Sequence, residues 1–329
     1  MKIVWLTVLV LGCAPAGEPA SVTLEPVAAA TPAPADAPAP ADAPAPADGA
    51  APTPKQSAID VSALALPPSI DADELAKDIA LFERVVATLP MTSIETARAT
   101  FSQGGGTCST FELGFALRRE HCMGRGHYSF CSFDALAHGD EAFDVRATCR
   151  TSDSWPELAP VMATIDAATL SGRGFVRVDA VASLTQHDTA RASVATAALA
   201  AALGPRSSAD VPAELRVSYD QLTDPRADVV LGRACGAAGS PPAGRRAAQE
   251  LVVAGRADLL RDALRGMNPE GRIYGALGLE ALGANTAEDD AAFARLRTLE
   301  LPLTVCRGCK NADEPTRTID LAPFTLLPR

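Results

Sequence analysis

Apolar residues fall into three regimes along the chain. Ile3 to Leu11 is an apolar run of nine residues, interrupted only by Thr7. Residues 14–54 then hold almost no large apolar side chain. From about residue 57 the pattern becomes periodic. Asp71 followed by Glu74 opens a helix in the manner of a capping box. Leu75, Ile79, Phe82, Val85 or Val86, and Leu89 then share one stripe, and Pro90 ends it. Thr92 with Glu95 starts a second helix, which Gly104-Gly105-Gly106 stops. The glycines follow a helix and precede no Gly-Lys-Ser/Thr, so they mark a C-cap and turn, not a phosphate loop. Residues 127–136 are aromatic-rich and partly alternate, and Phe143, Val145, Ala147 and Cys149 alternate strictly. With His138-Gly139-Asp140 as the turn between them, they predict a β-hairpin. Ser154, Pro156 and Glu157 begin a helix reaching about Leu170.

Beyond a soft boundary near 184 the pattern is helical. Residues 188–203 are alanine-rich and end at Gly204-Pro205. Leu259, Leu260, Ala263, Leu264 and Met267 form one face of another helix, and Asn268-Pro269-Glu270 caps the next. A last helix is expected over 286–298. Small residues and short loops around Asn268 to Leu277 resemble a HEAT-like α-solenoid over about one repeat. The expected fold class is therefore α+β. A disulfide-stabilised helix and hairpin segment (57–184) precedes a mainly α-helical, HEAT-like segment (185–329).

Charge and composition narrow the class. Forty acids against 29 bases give a net charge of −11, unlike the basic face of a nucleic-acid binder. No stretch of 18 apolar residues exists, which argues against a polytopic helical membrane protein. The first apolar run is instead the length of a signal-peptide core, preceded by Lys2. Val10-Leu11-Gly12-Cys13 resembles the lipobox of bacterial lipoproteins. That resemblance implies removal of residues 1–12, a diacylglycerol on Cys13 and an acylated (for example palmitoylated) α-amine. It also implies a cell-envelope location. Ala14, which is not Asp, fits outer-membrane sorting, facing the periplasm. Residues 13–56 would then be the anchor and a linker. Residues 14–54 contain 11 prolines, and Pro-Ala-Pro-Ala-Asp-Ala at 32–37 recurs at 38–43 and, ending in Gly49, at 44–49. Such a tract is expected to be disordered and extended in polyproline II, reaching at most about 130 Å at ~3.1 Å per residue.

An exported chain sits where disulfides persist. If the hairpin turns near residue 140, Cys131 faces Cys149, and spacing then favours Cys108 with Cys122. A zinc site is the competing reading, because His121 and His127 flank these cysteines, although the spacing lacks a tight ligand pair. Cys306-Arg307-Gly308-Cys309 is the one C-x-x-C motif. A Cys306–Cys309 disulfide pinning a loop is expected. Haem attachment normally wants His where Lys310 stands, and a thioredoxin-like centre needs a helix where Asn311 to Pro315 read as a turn. Cys235 is either a buried thiol or a partner of one of these two.

No catalytic motif appears, and no cofactor or metal is expected. His187-Asp188 is adjacent in sequence only. The expectation is a membrane-tethered binding or scaffolding module whose partner is a protein or another envelope component. The alternatives are an envelope hydrolase assembled in space, with His121, His127 and Glu120 as candidate groups, and a C-x-x-C redox or metal protein.

Overall fold

The computed structural model describes residues 59–322 and Leu326, except 88, 90–92, 104, 153, 170–174, 179–180, 208–209, 237 and 309. The signal segment, Cys13, the tether, Thr92 and Cys309 therefore lie outside the described residues. The described chain belongs to one compact unit.

Two helices, α1 (Ala72–Ala87) and α2 (Ile94–Gln103), lead into four antiparallel strands: β1 (Thr107–Gly114), β2 (Leu117–Arg125), β3 (Ser129–His138) and β4 (Glu141–Thr151). Helix α3 (Ala159–Thr169) and strands β5 (Val176–Val178) and β6 (Val181–His187) follow. The sheet order is β1-β2-β3-β4-β6-β5. Next come α4 (Thr189–Leu203), α5 (Arg216–Thr223), α6 (Ala243–Val253), α7 (Ala257–Leu264), α8 (Pro269–Leu282) and α9 (Ala287–Arg297). A hairpin of β7 (Pro302–Arg307) and β8 (Lys310–Pro315) closes the fold, which is α+β.

Caps start several of these helices. Asp71 Oδ1 accepts from the amides of Asp73 and Glu74 ahead of α1. Ser93 Oγ accepts from Thr96 N at α2, while Asp140 of the β3–β4 turn accepts from Glu95 N. Asp188 caps α4, Asn268 caps α8, and Thr286 with Asp289 forms a capping box at α9.

The sheet separates two cores. Along β3, Cys131, Phe133, Ala135 and Ala137 pack with α1, α2 and α3, whereas Leu136 packs with the later helices. Along β4, Val145, Ala147 and Cys149 join the first core and Phe143 the second. This is the two-residue period of a strand covered on both faces. Residue 184 falls inside β6, and the core shared by Leu113, Leu117, Leu136 and Phe143 with Leu199, Leu203, Leu251 and Leu260 spans both segments.

Three disulfides lie among the described residues. Cys108–Cys122 and Cys131–Cys149 each join directly opposed residues of neighbouring strands. The third corrects the C-x-x-C expectation: Cys306 is bonded to Cys235, not to Cys309. Tertiary pairing is the reason. Leu231 N donates to Thr304 O and Cys306 N to Leu231 O, so residues 231–235 run beside β7, and the Cα atoms of Cys235 and Cys306 stand 5.8 Å apart. Three disulfides belong to an oxidising, extracytoplasmic environment. No helix of the described residues is long and apolar enough to cross a membrane.

Candidate functional site: a cleft on the second sheet face

Strand register assembles the polar groups of the second face. Phe111, Arg119, Leu136, Asp144 and His187 are cross-strand partners in one row. The next row on the same face is Ser109, His121, Asp134, Arg146 and Thr185. The later helices cover one end of this face through Leu136 and Phe143.

Arg226, in the loop after α5, locks the two parts together. Its Nε donates to Asp134 Oδ1 at 2.7 Å and its NH2 to Asp144 Oδ1 at 2.5 Å. Arg119 Nε donates to the other oxygen of Asp134 at 2.6 Å. The loop is itself fixed: Asp224 Oδ1 accepts from Arg226 N, and Asn268 Nδ2 donates to the carbonyls of Asp224 and Ala227. The cap of α8 thus aims the guanidinium at the sheet. Asp144 Oδ2 is 3.0 Å from His187 Nδ1, which holds the imidazole and leaves Nε2 for another partner. Arg146 Nε stands 4.0 Å from Asp144 Oδ1 and its side chain is half exposed, so its remaining donors face outward.

A cleft of about 670 Å³ opens between this network and α4. Leu136, Phe143 and Met267 line it with the small face of α4, Ala192, Ala197 and Ala200, while Arg146 and His187 stand among its polar groups. That volume accommodates a small ligand. The hydroxyls of Ser193 and Thr196 donate to the carbonyls of Thr189 and Ala192 on their own helix, so neither is aligned as a nucleophile on His187. The arrangement offers an apolar bed, a fixed imidazole and a half-exposed guanidinium only loosely paired with Asp144, which is the chemistry of binding.

The groups singled out in the sequence do not converge. Glu120 is fully buried on the opposite face, accepting from Thr110 Oγ1 at 2.6 Å with Arg98 Nε 3.5 Å away. His121, next in sequence, points to the second face, 3.4 Å from Asp134. His127 lies elsewhere, against Tyr128 and Trp155. Ligand atoms of Cys108, Glu120 and Cys122 lie within 4.8 Å of one another, but the two sulfurs are bonded to each other and leave one carboxylate. The cleft residues Asp144, Arg146, His187 and Arg226 escape a sequence reading. His187 was visible beside Asp188, yet its partner is Asp144, through the β4–β6 register.

Comparison with protein families, with curated proteins and with solved structures finds no match.

Proposed function

We propose that this chain is a lipid-anchored protein of the bacterial cell envelope whose globular part binds an envelope component in the cleft above β4 and β6. The carrying observation is the 670 Å³ cleft, with Arg146 and His187 available in a network that Arg226 holds rigid. The Val10-Leu11-Gly12-Cys13 sequence supplies the anchor, and the Pro/Ala repeats of 14–54 the spacer. Two or more acyl chains make such anchoring stable. The disulfides fit an exported life.

Two measurements test the reading. Labelling with a palmitate analogue should mark the chain through its N-terminal acyl group, and Cys13→Ser should abolish labelling and shift the protein to the soluble envelope fraction; an unlabelled wild type refutes the anchor. A photo-crosslinking amino acid at Ala197, exposed on the wall of the cleft, should trap one component reproducibly in intact cells. No adduct above that of a crosslinker at exposed Val217, on α5, refutes the cleft as the binding site.

A further inference from the structure

Beyond the cleft, the second face continues as open sheet, and its register draws a strip. Thr107, Met123, Ser132, Thr148, Ser183 and Val176 are successive cross-strand partners from β1 to β5, none of them buried. Four of these six carry hydroxyls, and Ser132 Oγ and Thr148 Oγ1 are 2.9 Å apart. With strands ~4.8 Å apart the strip runs about 24 Å. Arginines stand on both banks. Arg146 is one row to one side; Arg125 and Arg150 share the row on the other. Each bank is about 7 Å from the strip, two residues along a strand. Arg125 and Arg150 are exposed, and Arg150 lies over the Phe130 ring at 5.5 Å.

The charge of this face opposes that of the chain. The described strands project four arginines here (119, 125, 146 and 150) against two aspartates (134 and 144) and, at the end of β4, Glu141, which faces Arg191; Arg226 docks on the two aspartates. The whole chain carries −11. Hydroxyls in a line between cationic banks, with Met123 and Val176 as apolar contacts, match an extended chain of sugar rings bearing carboxylates. The exposed apolar residues are too dispersed to enter a bilayer as one wedge. We propose that this strip is a binding surface for an acidic glycan, laid across the strands from β1 to β5.

The test uses the full-length Cys13→Ser chain, free of detergent, with polygalacturonate as probe, neutral dextran as control, and vesicles of phosphatidylcholine with phosphatidylglycerol as the rival surface. Polygalacturonate should bind with an affinity that falls as salt rises, and dextran should not. Because the chain as a whole repels a polyanion, binding reports this local face. The triple variant Arg125→Gln/Arg146→Gln/Arg150→Gln, all at exposed positions, should weaken binding tenfold or more with the melting temperature retained. Ser132→Ala/Thr148→Val should weaken polygalacturonate binding several-fold with the charge unchanged. The proposal is overturned by equal affinity for dextran, by binding to the vesicles and not to polygalacturonate, or by a folded triple variant that binds as tightly as the parent.

Discussion

Single residues set the strictest demands in this fold. Asp78 on α1 is fully buried and accepts from the amides of Tyr128 and Ser129 and from Ser129 Oγ, tying the helix to the β2–β3 turn. Gly126 makes room for it: a Cβ there would lie 1.5 Å from Asp78 Oδ1. Gly126→Ala should therefore expel the carboxylate and leave buried donors unpaired, a loss of about 3 kcal/mol. Urea unfolding measures it, and a loss below about 1 kcal/mol would contradict the account. Glu270 accepts from Thr304 N at 2.8 Å, and burial pushes its carboxyl up from 4.5 to about 7. The folded value exceeds the unfolded one, so the protonated form is the one the fold favours. The resulting contribution is complete below about pH 4.5 and lost as pH rises through 7, roughly 3 kcal/mol in all. Glu270→Gln keeps an acceptor and does not ionise, so its stability should fall less than that of the parent between pH 5 and 8. Parallel unfolding profiles for the two proteins would sink this. Beside it, Arg272 is buried completely and donates to the carbonyls of Gly266, Leu113 and Met267, joining α8 to the end of β1. Burial lowers its guanidinium to about 9, and it remains the cation at neutral pH.

At the scale of elements, the three disulfides divide by loop length. Cys108–Cys122 and Cys131–Cys149 close separations of 14 and 18 residues between adjacent strands, whereas Cys235–Cys306 spans 71 and links the segment before α6 to β7. In the chain-entropy description the short loops contribute about 3 kcal/mol each and the long one about 4. Paired Cys→Ser substitution at Cys235 and Cys306 should destabilise most, by roughly 1 kcal/mol more than removing either strand pair. The reverse order in denaturant midpoints would show that strand pairing already confines the long loop. Cysteine spacing and one hairpin were enough to anticipate the strand pairs. The third, Cys235 with Cys306, was one of the alternatives left open for Cys235, and spacing does not choose it: the pairing of residues 231–235 with β7 has no short motif, and β8 reads Lys-Asn-Ala-Asp-Glu-Pro and is mostly exposed. Strands β1, β2 and β6 were also missed, since one face of each is polar and partly solvated and the apolar alternation is correspondingly faint.

For the whole molecule the decisive joint is Arg226. It carries the only described ion pairs from the α5–α6 loop to the sheet, and both of its aspartates are mostly buried. Arg226→Ala removes one of the two guanidiniums on Asp134, where Arg119 remains, and leaves Asp144 with His187 and the more distant Arg146, at a cost of about 2–3 kcal/mol. The variant should unfold at lower denaturant and should also expose the amides of β3 and β4 to hydrogen exchange. Unchanged exchange in those strands would mean that the apolar contacts of Leu136 and Phe143 alone hold the helices on the sheet.

The sequence alone determined the helices that carry strong caps and a clear apolar stripe, the acidic balance, and the Pro/Ala tract that cannot build a core. These are local properties, settled by neighbours within a few residues. Only the tertiary structure decided which polar groups meet. Glu120 and His121 are adjacent in the chain and point to opposite faces of the sheet. Asp144 and His187 are 43 positions apart and share a hydrogen bond. A strand turns alternate side chains to opposite faces, and its register depends on partners far away in sequence, so a site written across four strands has no short motif to display.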